Sequence, residues 1–215
     1  MAEIAHSSIV QTKEKVFYDT FKRLMDVVCS LAALVLLSPL FFITAVAIRR
    51  EDQGPVIFAQ DRTGKNGKVF RMYKFRSMYV DAEKRRNELL AQNEADGPLF
   101  KIAEDPRITK VGRFIRKTSI DELPQLINIL KGEMSIVGPR PLVTYEQNQC
   151  NEYQAQRLLV KPGLTCIWQV SGRSDTKFDE LIEMDLEYIR NRSLWLDIKL
   201  ILKTVVVVFT HKGAY

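Results

Sequence analysis

"VVCSLAALVLLSPLFFITAVAI", from Val27 to Ile48, is a run of 22 residues without a single charge. As one helix it would be about 33 Å long, close to the thickness of the hydrocarbon core of a bilayer. A cleaved signal peptide is not expected, because the run starts late and no small-residue cleavage site precedes the charged stretch after it. The composition therefore predicts a membrane segment.

Two features favour a segment that enters and leaves the membrane on the same face. Ser38-Pro39 lies at its middle, and a proline there removes a helical hydrogen bond and bends the helix. Basic residues flank both ends, which suits a hairpin-like helix with both ends on the cytoplasmic side. The flanking residues are Lys22, Arg23, Arg49 and Arg50. Asp26 lies one helical turn from Lys22 and Arg23, and could pair with either. The residues alone leave a re-entrant helix and a kinked span open.

The rest of the composition describes a globular domain. The chain has 215 residues, of which 27% are charged and 46% hydrophobic, which excludes a disordered or wholly membrane-embedded protein. A net charge of +6 suits an anionic partner such as a phospholipid surface, a nucleotide or a nucleic acid. The 3 cysteines have no metal-ligand spacing and are interpreted as reduced thiols.

A basic hairpin follows the apolar run. Residues 55–78 alternate apolar and polar side chains around the turn sequence "TGKNG", which predicts a β-hairpin. Its basic residues, among them Lys74 and Arg76, form either a solvated face or a phosphate-binding strand.

The C-terminal part predicts two helices. Residues 178–192 have the period of an amphipathic helix, with five candidate core positions: Phe178, Leu181, Leu186, Tyr188 and Ile189. Residues from about 193 to 210 are apolar with one basic stripe and carry Trp195 near one end. This pattern is typical of a helix lying in the membrane interface, and equally of a buried core helix.

Two adjacent acids begin the segment "TSIDELPQLINILKGEMSIVGPRP", from Thr118 to Pro141. A helix is predicted from about residue 120 to 131. Ser119 and Glu122 fit the Ser-x-x-Glu capping box, and acids in a first turn suit the helix dipole. By this interpretation Asp121 and Glu122 only cap a helix.

The surroundings of these acids support a second interpretation. Arg116 lies just upstream and Arg140 just downstream, and a helix N-terminus flanked by arginines is a phosphate site. Carboxylates would repel a phosphate there unless a divalent cation such as Mg²⁺ bridges them. An aspartate can also attack phosphorus directly. The combination indicates phosphoryl transfer, with Asp121 and Glu122 as candidate metal ligands.

From about Phe21 to its C-terminus the chain resembles the bacterial sugar transferases, the monotopic polyprenyl-phosphate phosphoglycosyl transferases. Five motifs in order carry the resemblance: "KRLMD" (22–26), Ser38-Pro39, "DRTGKNGKVFRMYKFRSM" (61–78), "IDELPQLINILKGEMSIVGPRP" (120–141) and "KPGLTCIWQVSGR" (161–173). The last motif usually reads Gly-Leu-Thr-Gly in the family, and Cys166 replaces its second glycine here.

The resemblance implies a fold and a location. The expected fold is α+β and mostly helical, with a lead-in at residues 1–20, a re-entrant membrane helix at 21–50 kinked at Ser38-Pro39, and a cytoplasmic catalytic domain at 51–215 that ends in the interfacial helix. The protein is expected at the bacterial inner membrane, with its catalytic domain on the cytoplasmic face. A phospholipid membrane is an implied partner, nucleic acid is not, and crossing helices at a membrane surface are compatible with a homodimer.

The resemblance also implies a reaction. A sugar 1-phosphate passes from a UDP-sugar to undecaprenyl phosphate, UMP leaves, and exopolysaccharide, O-antigen or glycoconjugate assembly begins. Asp121 is implied as the nucleophile that carries the phosphosugar. Glu122 is implied as its helper, through Mg²⁺ or proton handling. The sequence does not name the sugar, and a hexose such as galactose or glucose is expected.

Five basic residues are candidates for holding phosphate. Arg116 and Arg140 bracket Asp121, Lys74 and Arg76 lie on the hairpin, and Arg173 follows in "SGR". A structural salt bridge is the alternative for each. Two other functions also stay open at this point: a non-enzymatic membrane-anchored adaptor, and a glycosyltransferase that releases UDP.

Overall fold

The computed structural model describes five parts of the chain: residues 15–94, 96–100, 102, 104–171 and 177–210. Within these parts the chain is mostly helical and has two small sheets of two strands each, in agreement with the α+β prediction. The helices are α1 Val16–Leu36, α2 Ser38–Glu51, α3 Ala82–Arg86, α4 Lys110–Lys117, α5 Gln125–Lys131, α6 Thr144–Gln147, α7 Glu152–Ala155, α8 Ile167–Ser171, α9 Phe178–Asn191 and α10 Leu194–Thr210. The strands are β1 Ile57–Thr63, β2 Val69–Phe75, β3 Ser135–Val137 and β4 Gly163–Thr165.

The apolar run forms two helices rather than one. The axes of α1 and α2 differ by 61° across the break at Leu37, so the predicted bend at Ser38-Pro39 is confirmed. Pro39 lies in the first turn of α2, where a helix does not need its missing N–H group. Ser38 donates its hydroxyl to the carbonyl of Val35 at 2.8 Å and so closes the end of α1. The first helix begins at Val16, before the predicted start at residue 21.

Among the described residues, no single helix is long and apolar enough to cross a membrane. The bent pair α1 and α2 reaches that length and composition only when the two helices are taken together. Apolar side chains on both are exposed, including Phe17, Leu24 and Phe42. The re-entrant placement stays a prediction.

Polar side chains attach α1 to the rest of the domain. Asp26 is buried and accepts hydrogen bonds from the Ser135 hydroxyl at 3.0 Å and the Ile136 amide at 2.9 Å. Arg23 donates to the carbonyl of Ile129 at 2.6 Å, in the last turn of α5. The suggested ion pair of Asp26 with Lys22 or Arg23 is therefore wrong, because Asp26 and Arg23 bind other parts of the domain and Lys22 pairs with Asp197.

The predicted hairpin is confirmed. Strands β1 and β2 pair antiparallel, from Ile57 opposite Phe75 to Thr63 opposite Val69. Asn66 and Gly67 in the turn have positive φ angles of 56° and 78°, which explains the turn sequence. One face of the hairpin packs against α5 through a buried apolar cluster formed by Phe70, Met72, Leu126, Ile129 and Met134.

The C-terminal helices α9 and α10 complete the core. All five predicted core positions of α9 are buried, and they form one cluster with Val137 and Leu200. Helix α10 is neither wholly buried nor wholly exposed. Asp197 on it is fully buried and accepts from Tyr18, Lys22 and Tyr188, whereas Trp195 is 75% exposed. The interfacial role of α10 stays a prediction.

Candidate active site

The two adjacent acids lie in a tight turn, not in a capped helix. Residues Ile120–Glu122 form a single 3₁₀ turn, and α5 begins only after Pro124. Ser119 has a positive φ of 56° and its side chain makes no capping hydrogen bond, so the predicted capping box is wrong. Helix α4 ends at Lys117, and the turn residues Thr118 and Ser119 separate it from the 3₁₀ turn. The carboxylate of Glu122 thereby points to the hairpin, where it meets Lys74.

Glu122 is held by two residues from distant elements. Its Oε1 lies 2.7 Å from Nζ of Lys74 on β2, and its Oε2 accepts from Nε2 of Gln169 on α8 at 3.2 Å. The ion pair with Glu122 places Lys74 beside the two adjacent acids. The hairpin and the C-terminal half of the domain therefore meet at Glu122.

Asp121 has a different environment. It is only 8% exposed, and within the described parts of the chain its carboxylate forms no ion pair. Burial, followed by the neighbouring charge of Glu122, raises its pKa to about 6, while the positive charges of Lys74 and Arg116 oppose that rise. The carboxylate is therefore mostly ionised at neutral pH, with little water around it.

A cleft opens beside Glu122; Asp121 precedes Glu122 in the chain and is not itself among the residues that line the cleft. Charged and amide side chains line it, together with apolar residues from β2 and β4. The polar members are Arg62, Lys74, Glu122, Gln125, Arg140 and Gln169. Three cations and one carboxylate give the cleft a positive character that suits an anion such as a diphosphate.

Arg140 reaches the cleft from the Gly-Pro-Arg-Pro segment. Its guanidinium stacks on the ring of Trp168, with 4.7 Å between the guanidinium carbon and the ring centroid. The rigid φ of Pro139 and Pro141 restricts the backbone on both sides. The structure thus brings Arg140 into the same cleft as Lys74 and Glu122, while Arg116 acts on Asp121 through its charge.

Two predicted phosphate-binding residues do not join this cluster. Arg76 is buried and pairs with Asp52, its Nη1 lying 2.7 Å from Oδ2, and its Nη2 donates to the Asp52 carbonyl at 2.5 Å. It joins the end of β2 to the end of α2 and is not among the residues that line the cleft, which favours the salt-bridge alternative. Arg173 lies outside the described residues.

Three cleft residues were missing from the sequence-based set. Arg62 donates to the Pro141 carbonyl at 2.9 Å and to Oε1 of Gln60 at 2.8 Å. Its burial, followed by the charge of Arg140, lowers its pKa to about 10. Gln125 and Gln169 are uncharged, so a search for charge patterns gives no signal for them. Arg62 belongs to the basic hairpin, but the sequence pattern does not distinguish it from the solvent-exposed basic residues beside it.

Cys166, at the position where the motif usually has glycine, is accommodated in the packed interior. It follows β4 directly, and only 1% of its surface is exposed. Burial raises the pKa of its thiol to about 12, so the group stays protonated. Cys166 is therefore a small apolar packing residue next to the cleft.

The residues present fit a magnesium ion that substrate oxygens help to hold. No cluster of three or more His, Cys, Asp or Glu side chains suited to a metal occurs in the described ranges. Mg²⁺, however, usually takes only one or two carboxylates and completes its shell with water and phosphate oxygens. Both oxygens of Glu122 already face protein donors, so Asp121 is the more available ligand.

Comparison with known proteins places these features in a family. A sequence model described as "Bacterial sugar transferase" matches residues 17–211. The chain is 50% identical over 194 residues to a galactosyl transferase, CpsE, of Streptococcus agalactiae, covering 90% of this chain and 43% of that protein. It is 47% identical over 201 residues to an undecaprenyl-phosphate galactose phosphotransferase of Salmonella typhimurium, covering 90% and 41%.

A shorter relative matches almost end to end. The exopolysaccharide production protein ExoY of Sinorhizobium fredii is 39% identical over 198 residues, covering 90% of this chain and 88% of that protein. The chain thus spans less than half the length of the first two relatives and most of the third.

Proposed function

The chain belongs to the bacterial sugar transferase family, and from that premise we propose that it transfers a sugar 1-phosphate from a UDP-sugar to undecaprenyl phosphate and releases UMP. The product is a polyprenyl-diphosphate sugar, the first lipid-linked intermediate of an exopolysaccharide, O-antigen or other glycoconjugate. The names of the galactose phosphotransferase and the exopolysaccharide production protein support this assignment.

The main support for this proposal is the environment of Asp121. An Oδ of Asp121 attacks the β-phosphorus of the UDP-sugar, the bond from that phosphorus to the bridging oxygen breaks, and UMP leaves with the bond electrons. A phosphosugar is then bound covalently to Asp121. A phosphate oxygen of the lipid attacks the same phosphorus and frees the carboxylate. A buried carboxylate with no ion pair in the described ranges and a pKa of about 6 suits this role, because it is ionised but poorly hydrated.

Glu122 acts as the partner of Asp121 and not as a second nucleophile. Its two oxygens are occupied by Lys74 and Gln169, which hold it in one orientation. Lys74 also balances the negative charge that a bound diphosphate would otherwise meet. The two adjacent acids thus take separate roles because their hydrogen-bond partners differ.

Arg140 and Arg116 supply positive charge on the phosphate side. Arg140 lines the cleft, and its stacking on Trp168 limits the directions that its guanidinium can take. A planar guanidinium can donate two parallel hydrogen bonds to a phosphate. The charge of Arg116 favours the ionised form of Asp121.

Asp121, with oxygens of the substrate diphosphate, would hold Mg²⁺, and Glu122 would join it only by exchanging its contact with Lys74 or Gln169. When bound, the ion offsets the negative charge that gathers on the transferred phosphate. Arg140 and Lys74 orient the diphosphate in the cleft independently of the ion.

The lipid substrate explains the bent helix pair. The phosphate of undecaprenyl phosphate lies in the headgroup layer, so its acceptor site must also lie at the membrane surface. A helix pair that dips into the bilayer and returns would hold the catalytic domain there, on the cytoplasmic face where UDP-sugars are found. The bend of 61° and the exposed apolar side chains of α1 and α2 support this placement.

The test is a product assay on the full chain in lipid nanodiscs with Mg²⁺, undecaprenyl phosphate and a panel of UDP-sugars that includes UDP-galactose and UDP-glucose. UMP release that requires the lipid over repeated turnovers supports the proposal. Release of UDP would indicate a glycosyltransferase, and no nucleotide product with any sugar would indicate an adaptor. Without the lipid acceptor, intact-protein mass spectrometry should detect one sugar phosphate on the wild-type chain and none on Asp121→Asn.

A further inference from the structure

Both backbone polar groups of Arg140 are bound by one buried ion pair. The Arg140 amide donates to Oδ1 of Asp185 on α9 at 3.3 Å. The Arg140 carbonyl accepts from Nη2 of Arg157, and the same nitrogen pairs with Oδ2 of Asp185. Two residues that are distant in sequence from the Gly-Pro-Arg-Pro segment therefore hold the residue between its two prolines.

The ion pair is almost completely buried, with side-chain exposures of 2% for Arg157 and 1% for Asp185. Removing two such charges from water costs several kcal/mol for each ion, and apolar residues of similar volume often stabilise a fold equally well. Stability alone is therefore a weak explanation for a charged pair at this site. What the pair provides, and apolar side chains cannot, is a donor and an acceptor for the backbone of residue 140.

A second, partly buried arginine holds the next residue of the segment. Arg62 donates to the Pro141 carbonyl at 2.9 Å, so two consecutive carbonyls accept from guanidinium groups. The backbone of residues 140 and 141 is thus fixed from two sides. The long side chain of Arg140 then projects from a fixed Cα position, stacks on Trp168 and enters the cleft.

We propose that Arg157 and Asp185 are positioning residues for Arg140: they fix its backbone so that its guanidinium meets the substrate diphosphate. This inference rests on the proposed function, because it takes Arg140 as a phosphate-binding residue. Misplacement of a binding group by about 1 Å can lower a rate about 100-fold. The pair therefore acts on catalysis through Arg140 and touches no substrate itself.

A double-mutant cycle tests this coupling. The variant Arg157→Met/Asp185→Leu removes both charges and leaves neither unpaired. We expect it to lower kcat/KM for the UDP-sugar about 100-fold when Arg140 is present. In an Arg140→Ala background the same double change should alter kcat/KM by no more than about twofold, because the residue it positions is already lost. Equal losses in both backgrounds, or no loss in either, would overturn the proposal.

A matched buried ion pair provides the control for folding. Arg107 and Asp105 are 6% and 5% exposed, and their Nη2 and Oδ2 atoms lie 2.6 Å apart. Arg107→Met/Asp105→Leu should change thermal stability as much as the test variant does, and should leave the Arg140 effect intact. If the test variant does not fold, Arg157→Lys replaces it in the cycle, because an ammonium cannot reproduce the fork of a guanidinium.

A binding readout separates this proposal from the proposed function. The affinity of each variant for UDP, measured by calorimetry without a lipid acceptor, needs no turnover. If the wild type never releases UMP, the proposed function fails and the coupling is read from UDP affinity alone. If the wild type releases UMP but the cycle is additive in both readouts, only the positioning role fails.

Discussion

Lys74 and Glu122 are joined by a 2.7 Å ion pair between strand β2 and the turn before α5, although 48 residues separate them. This contact distinguishes the two adjacent acids: Glu122 is paired with a lysine, whereas the carboxylate of Asp121 forms no ion pair within the described ranges. The same lysine charge favours the ionised form of Asp121.

Replacing the lysine tests that relationship. Lys74→Met should lower kcat at least about tenfold, because Glu122 loses its partner and the diphosphate loses a cation. The pKa of Asp121 should also rise above its present value of about 6, so the acid limb of the rate profile should move to higher pH. UMP release measured from about pH 5 to about pH 8 follows that limb. Lys68→Met, at an exposed position of the same hairpin, should leave the profile unchanged, and an unmoved limb in Lys74→Met would contradict the assignment.

Asp121 should reduce stability while enabling activity. Its folded-state pKa of about 6 lies above the ordinary value of 3.8, so the folded protein binds the proton more tightly than the unfolded chain. The stability that comes from this proton is complete below about pH 4 and is lost as the pH rises through about 6. Asp121→Asn should therefore be inactive yet more stable than the wild type at pH 8, by on the order of 3 kcal/mol. Denaturant unfolding of both proteins at pH 4 and pH 8 measures this difference in stability. The stability gained by Asp121→Asn over the wild type should be larger at pH 8 than at pH 4, and a gain that is smaller at pH 8 would contradict the prediction.

Arg76 should be a structural residue. Arg76→Met leaves Asp52 without its ion-pair partner and should lower the free energy of unfolding by about 3 kcal/mol. KM for the UDP-sugar should stay the same. The exposed pair formed by Arg85 and Asp81 is the control, since Arg85→Met should change stability by about 0.5 kcal/mol or less. A raised KM with unchanged stability would contradict the structural role and indicate that Arg76 binds phosphate.

Gly163 should tolerate no side chain. A Cβ at this position would lie 2.1 Å from the Gly138 amide nitrogen and 2.5 Å from the Thr165 carbonyl oxygen. Gly163→Ala should therefore push β4 away from the segment that carries Arg140, and lower both stability and kcat. Thermal unfolding and UMP release report the two effects. Gly67→Ala is the comparison: that position has a positive φ but open space, so it should lose only about 1 kcal/mol and keep its activity.

The bent helix pair predicts a membrane topology. In a background without Cys29, Cys150 and Cys166, the variants Thr20→Cys and Arg50→Cys should both react with an impermeant maleimide from the cytoplasmic side only. Both positions are exposed, one near the start of α1 and one near the end of α2. Labelling from opposite sides of the membrane would show that the pair spans it. Pro39→Leu, which restores the missing helical hydrogen bond, should weaken the bend and give a mixed labelling pattern.

Local features of the fold were predictable because each depends on neighbouring residues. The bend follows from Pro39, the hairpin turn from Asn66 and Gly67, and the buried face of α9 from its helical period. The helix start before α5 was less predictable. Ser119 matches a capping pattern, but in the turn after α4 it has a left-handed conformation, which a pattern of four residues does not reveal.

The sequence by itself determined the family, the acid pair and the bend, since motifs and prolines act over a few residues of chain. Only the tertiary structure decided which basic residue meets which acid. Lys74 meets Glu122, Arg76 meets Asp52, and Arg157 meets Asp185 and the backbone of Arg140. These contacts join segments between 17 and 48 residues apart. No sequence periodicity predicts such pairs, because a long basic side chain can bind any acceptor within its reach. Tertiary packing decides which acceptor that is.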